Sequence, residues 1–190
     1  TSDLNDPDDD NDGIPDTEDP FAIDANNGTT TQLPIDYPFW NDDPGTGFFG
    51  LGFRGLMTNG VDDYLNLYDP TTIAAGGASG KMTVEQVTAG DAYQTNNTQE
   101  NGFQFGIDVD TNDRPFIIHT NLESPFFDGD ADPENYQSFG LFIGDGTQAN
   151  YLKVVMNANG GDGGVEVGLE VADSANNTQY GNAAWGGADI

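Results

Sequence analysis

The chain has 190 residues, enough for one domain with a full core, or one domain plus a short appendage. Its formal charge is −29, with only Arg54, Lys81, Arg114 and Lys153 positive. Such a surface repels nucleic acid and anionic lipid and suits cations, neutral partners such as glycans, or a salty exterior. There is no cysteine, which excludes disulfides and Cys-based metal or redox centres, and no run approaches the ~18 apolar residues of a membrane helix.

Residues 1–24 are acidic and nearly free of large apolar groups. In the run DPDDDNDGIPDTEDP, from Asp6 to Pro20, eight of fifteen residues are Asp or Glu and none is Lys or Arg. A solvated linker is the ordinary reading of such a run. The spacing points elsewhere. With Asp8 at the first position, Asp8, Asp10, Asp12, Gly13, Asp16 and Asp19 read D-x-D-x-D-G-x-x-D-x-x-D. Calcium takes six to eight oxygens at ~2.3–2.6 Å, and carboxylates at alternate positions can wrap one ion. Gly13 allows the sharp turn, the Ile14 carbonyl can face inward, and Asp16 and Asp19 close the far side. Magnesium suits the pattern less, because it keeps several waters. Pro7, Pro15 and Pro20 exclude the flanking helices of an EF-hand.

The motif resembles the thrombospondin type 3 repeat, in the cysteine-free version found in bacteria. Asp3-x-x-Asp6-Pro7 matches the end of such a repeat, as Asp16-x-x-Asp19-Pro20 does. The resemblance implies that the chain begins inside a tandem array and is a piece of something longer. It also implies that Asp3 and Asp6 contribute to shared ions. The expected ligand set is therefore Asp8, Asp10, Asp12, Ile14, Asp16 and Asp19, joined by Asp3 and Asp6, around Ca2+.

Residues 25–46 read as a polar connector, with Tyr37 and Trp40 placed to pack the acidic segment against the strand-forming region. From 47 to 190 the texture is short alternating runs broken by Gly, Asn and Asp, which marks strands with one buried face. In GFQFGIDV, Phe103, Phe105, Ile107 and Val109 form the expected core face. In YLKVVM the core face is Leu152, Val154 and Met156. In GVEVGLEV it is Val165, Val167, Leu169 and Val171, with Glu166 and Glu170 facing solvent. Further strands are expected over 48–57, 81–87, 115–122 and 138–144. One helical turn is expected in 69–77, capped by Asp69 with Pro70 at its first position. These elements imply an all-β antiparallel sandwich, most simply a jelly roll.

Other candidate sites are weaker. Asp128, Asp130 and Asp132 in DGDAD, and Asp108 and Asp110 in DVDTND, read as acidic loops with a second cation site as the alternative. His119 is the only histidine and reads as structural. Trp185 can stack on a sugar or pack in the core. The strand signature E-x-D-x-x-E of glycosidases of this architecture is absent. Glu166 and Glu170 stand about 13 Å apart along a strand, beyond the ~5–9.5 Å that a carboxylate pair needs.

The run YQSFGLFIGDGTQANYLKVVMNANGGDGGVEVGLEV (136–171) looks like the concanavalin A-like lectin/glucanase superfamily. That likeness implies a sandwich over roughly 47–180 and says more of fold than of activity. The family has further strands after the segment matching NTQYGNAAW, so the resemblance implies a sandwich that is incomplete at Ile190 or has its last strands supplied by another chain or a removed segment. The functional expectation is a non-catalytic, calcium-binding extracellular module of bacterial type, glycan-binding or adhesive. The alternatives are a structural block of a surface layer, filament or matrix, and an accessory module of a secreted polysaccharide hydrolase. Expected partners are glycans, neighbouring modules or copies of the chain itself, with no nucleic acid and no membrane insertion.

Overall fold

The computed structural model describes residues 6–30, 53, 55–61, 71–76, 81–109, 115–120, 134–159 and 162–184. Over these residues the protein is all-β, without a helix, and its sheets are antiparallel. The strands are β1 (Gly55–Leu56), β2 (Ile73–Gly76), β3 (Lys81–Val84), β4 (Ala92–Tyr93), β5 (Asn96–Asn97), β6 (Phe103–Gln104), β7 (Ser138–Gly144), β8 (Tyr151–Asn159), β9 (Asp162–Val171) and β10 (Ser174–Ala184). They form the sheets β1-β6, β2-β3, β4-β5 and β10-β9-β8-β7. The chain divides into two compact units: Thr1–Ala92 with Asn96–Asp113 and Gly146–Gln148, and Tyr93–Thr95 with Arg114–Asp145 and Ala149–Ile190.

The first unit holds the acidic segment and short strands. Buried glutamine amides supply bonds that such short ladders lack. Gln104 Nε2 donates to the carbonyls of Pro20 (2.5 Å) and Leu56 (2.9 Å). Gln148 Nε2 donates to those of Met57 (3.1 Å) and Gln99 (2.8 Å), and its Oε1 accepts the Gln99 N–H (3.0 Å). Pairing buried backbone groups in this way avoids a cost of about 1–3 kcal/mol for each orphan. Ala22, at the exit of the acidic segment, is fully buried against Leu56, with Ile23 and Phe103 packed alongside. Phe53 meets Phe103 and Phe105 edge-on at 6.3 and 6.2 Å.

In the second unit β7 to β10 make a four-stranded meander. Ile143, Leu152 and Leu169 are in one cross-strand row, and Leu141, Val154 and Val167 in the next. Ala172 and Asp173, with φ of 50° and 59°, make the two-residue turn from β9 to β10. Two consecutive left-handed residues match the twist of a tight hairpin. Asn150 Oδ1 accepts the Ala172 N–H (2.9 Å) and steadies the turn.

Several sequence expectations are corrected. Residues 73–76 are strand β2, not part of a helical turn; Ile73, nearly fully buried, lies opposite Val84. Residues 115–120 belong to no strand and are exposed, because their alternation meets no ladder among the described residues. Positions 69, 70, 121 and 122 lie outside the described residues. Three strands have the right period, but their most buried positions are mostly not on the expected face. On β8, Met156 is buried as expected, but Tyr151 and Val155 are buried while Leu152 and Val154 are exposed; on β9, Leu169 and Val171 are exposed. Glu166 and Glu170 are buried rather than solvent-facing, because each carboxylate has partners on that face. Glu166 pairs with Lys153 (3.0 Å) and accepts from Asn157 Nδ2 (2.7 Å), and Glu170 accepts the Gln94 N–H (3.0 Å) and the Tyr151 hydroxyl (3.3 Å). Around β6, Gly102, Gln104 and Gly106 are inside while Val109 is exposed. The small residues there admit backbone at close range: a Cβ on Gly106 would stand 2.4 Å from Gly28 Cα.

Candidate metal centre

The acidic segment folds as a compact loop because its own carboxylates bind its backbone. Asx turns are what closely spaced Asp residues favour. The Asp12 N–H donates to Asp10 Oδ1 (3.0 Å), the Ile14 N–H to Asp12 Oδ1 (2.8 Å) and the Gly13 N–H to Asp8 Oδ2 (3.0 Å). Asn11 (φ 62°) and Gly13 (φ 98°) take the left-handed conformation that bends the chain between these carboxylates. The Asp16 N–H closes the loop on the Pro7 carbonyl (3.0 Å), and Asp16 Oδ1 accepts the Asp9 N–H (3.0 Å).

Ligand oxygens of Asp8, Asp10 and Asp12 all lie within 4.8 Å of one another, so this cluster can hold a metal ion. Two oxygens on one ion at ~2.3–2.6 Å can stand up to about 5 Å apart. The remaining oxygens carry the stronger signal. Asp8 engages Oδ2 and Asp10 engages Oδ1 on backbone, and their other oxygens, Oδ1 and Oδ2, are buried without a hydrogen-bond donor. Asp19 is only 2 % exposed; its Oδ1 accepts the Phe21 N–H (2.8 Å) and its Oδ2 is buried with no donor. Bare carboxylate oxygens inside a protein are costly unless a cation meets them.

The electrostatics agree. Burial pushes Asp19 up to about 6, and the negative charges of Asp12, Asp10 and Asp16 add to the rise against the Phe21 N–H. Asp10 is also raised, by burial first and then by the Asp12 and Asp8 carboxylates, with the Asp12 and Asp24 backbone N–H groups opposing. Every donor in the set is a hard oxygen, which fits an alkaline-earth cation and not a soft metal.

The expected ligand set is thus divided. Asp8, Asp10 and Asp12 converge. Asp19 and Asp16 stand outside the 4.8 Å group, both buried, with Asp19 held among the charges of Asp10, Asp12 and Asp16. The Ile14 side chain is exposed and its N–H serves Asp12. Asp6 is half-buried and not part of the convergent group, and Asp3 lies outside the described residues. Asp110, Asp128, Asp130, Asp132, Tyr37, Trp40 and Trp185 are likewise outside them; Asp108 and His119 are exposed. Two contributors escaped the spacing argument. Asn27 Nδ2 donates to Asp12 Oδ2 (3.1 Å), and Gln104 holds the loop's exit at Pro20. An Asn-Gly pair such as 27–28 favours a turn, but nothing local says that it folds back onto Asp12.

Comparison with family models, curated proteins and solved structures finds no match to this chain.

Proposed function

We propose that the loop from Asp8 to Asp19 is a calcium site and that the chain is a non-catalytic, calcium-stabilised module of a secreted or surface protein of bacterial type. The observation that carries this is Asp19, 2 % exposed, with a donorless oxygen beside three other carboxylates. A divalent cation removes both the desolvation cost and the mutual repulsion. A flexible cage of carboxylates favours calcium over magnesium. The resemblance of the spacing to thrombospondin type 3 repeats supports the same ion. The antiparallel sheets suit a jelly roll of concanavalin A-like type, with a glycan-binding or adhesive role toward neutral partners and none toward nucleic acid or the membrane interior.

A second reading, a building block of a layer or matrix, draws support from one feature. The apolar face of the β7–β10 sheet leaves Ile143, Leu152, Val154, Leu169 and Val171 exposed, the kind of patch that assembly covers. Calorimetric titration tests the calcium site. The wild type takes up Ca2+ in preference to Mg2+, and Asp10→Ala/Asp12→Ala loses that uptake; an unchanged calcium stoichiometry in the double variant sinks the reading. A glycan array and sedimentation with and without calcium then separate the two roles.

A further inference from the structure

The turn after the acidic loop has no place in the D-x-D-x-D-G spacing, yet it reaches into the site. Asp24 shapes this turn, its Oδ1 accepting the Asn26 N–H (3.2 Å) and its Oδ2 the Gly28 N–H (3.0 Å). Asn27 and Gly28 are left-handed, with φ of 50° and 72°. Gly28 is pressed on the Gly106 backbone so closely that an added Cβ would stand 2.2 Å from Gly106 Cα. Asn27 is therefore fixed in position, with its Nδ2 3.1 Å from Asp12 Oδ2.

That contact bears on metal binding. Asp12 differs from Asp8 and Asp10 in that both its oxygens accept hydrogen bonds, Oδ1 from the Ile14 N–H and Oδ2 from Asn27. An amide presents a donor at one end and an acceptor at the other, and a half-turn about its last torsion exchanges them. Beside bare carboxylates the nitrogen faces inward; beside a cation the oxygen does. Calcium also needs more oxygens than three aspartates and Asp19 supply from one atom each.

We propose that Asn27 is a calcium ligand, giving its Oδ1 to the ion held by Asp8, Asp10 and Asp12, and so makes the Asp24–Gly28 turn the second wall of the site. This rests on the calcium reading above. The test uses the full chain, Ca2+ titration by calorimetry, and Eu3+ luminescence decay in H2O and D2O, which counts waters on the bound ion. Asn27→Gly keeps the left-handed backbone and removes the side chain; Asn27→Asp restores an oxygen. The expected result for Asn27→Gly is Ca2+ binding weakened about tenfold and about one more water on Eu3+. Asn27→Asp returns the water count to that of the wild type and binds Ca2+ at least as tightly. An unchanged water count in Asn27→Gly, with Ca2+ and Eu3+ still bound, overturns the assignment of Asn27 and leaves the calcium site standing. Failure of the wild type to bind either ion overturns both.

Discussion

Asp19 links the site to pH. Its ordinary value is 3.8 and the fold raises it to about 6, chiefly by burial. Between those values the cation-free native state holds a proton that the unfolded chain has released. Its stability therefore falls as pH rises through this window, by up to about 3 kcal/mol. On the proposed calcium reading the ion should reverse the sense, because it would need the ionised carboxylate and compete with the proton. In calcium-free buffer, Asp19→Asn should match the wild type near pH 4 and become the more stable of the two above pH 6. With saturating calcium the wild type should be the more stable at pH 7. Thermal unfolding of both proteins across this range, with and without calcium, checks the crossing.

At the level of strands, the sequence revealed period but not sign. Alternation in YLKVVM and GVEVGLEV located β8 and β9, and SFGLFIG matches β7 from end to end. Which face lies inward depends on partners far along the chain. Glu170 is buried because the Gln94 N–H, 76 positions away, and Tyr151 meet it; Gln104 because the Pro20 carbonyl, 84 positions away, needs a donor. No local pattern encodes such contacts. β10, built from Asn, Ala, Ser, Thr and Gln with one Tyr and one Gly, has too little apolar alternation to announce itself and is defined by its ladder with β9. The opposed faces give a mutational contrast. Leu169→Ala, on the exposed face, should cost under about 1 kcal/mol, whereas Val155→Ala, on the buried one, should cost about 1–3 kcal/mol. Urea unfolding compares them, and equal costs would return Leu169 to a packed core.

For the molecule as a whole, a charge of −29 against four basic residues makes self-repulsion a standing cost of folding. Lys153, one of those four, is paired with buried Glu166. Added salt should thus raise the melting temperature of the chelated protein between about 0.05 and about 0.5 M NaCl, as screening weakens repulsion. Calcium acts by site occupancy, and at a hundredfold excess over its dissociation constant it should add about 2.7 kcal/mol. Asp10→Ala/Asp12→Ala should keep the salt response and lose the calcium response, as read by scanning calorimetry. Composition made this electrostatic character plain, and the spacing from Asp8 to Asp12 located the carboxylate cluster that can hold a metal ion. The anchoring of that loop was not legible, because Ala22 against Leu56 and Gly28 against Gly106 are long-range contacts between residues with no distinguishing chemistry.

The Asn27–Gly28 pair also carries a chemical clock. Attack of a glycine nitrogen on the preceding asparagine side chain expels ammonia and closes a succinimide, which water opens to aspartate or isoaspartate. The fold restrains this: the Gly28 N–H is held by Asp24 Oδ2 at 3.0 Å, and Gly28 is packed against Gly106. Whatever loosens the turn frees that nitrogen, and the chain would then age first at this site. The damage would place a new carboxylate, or a lengthened backbone, beside Asp12.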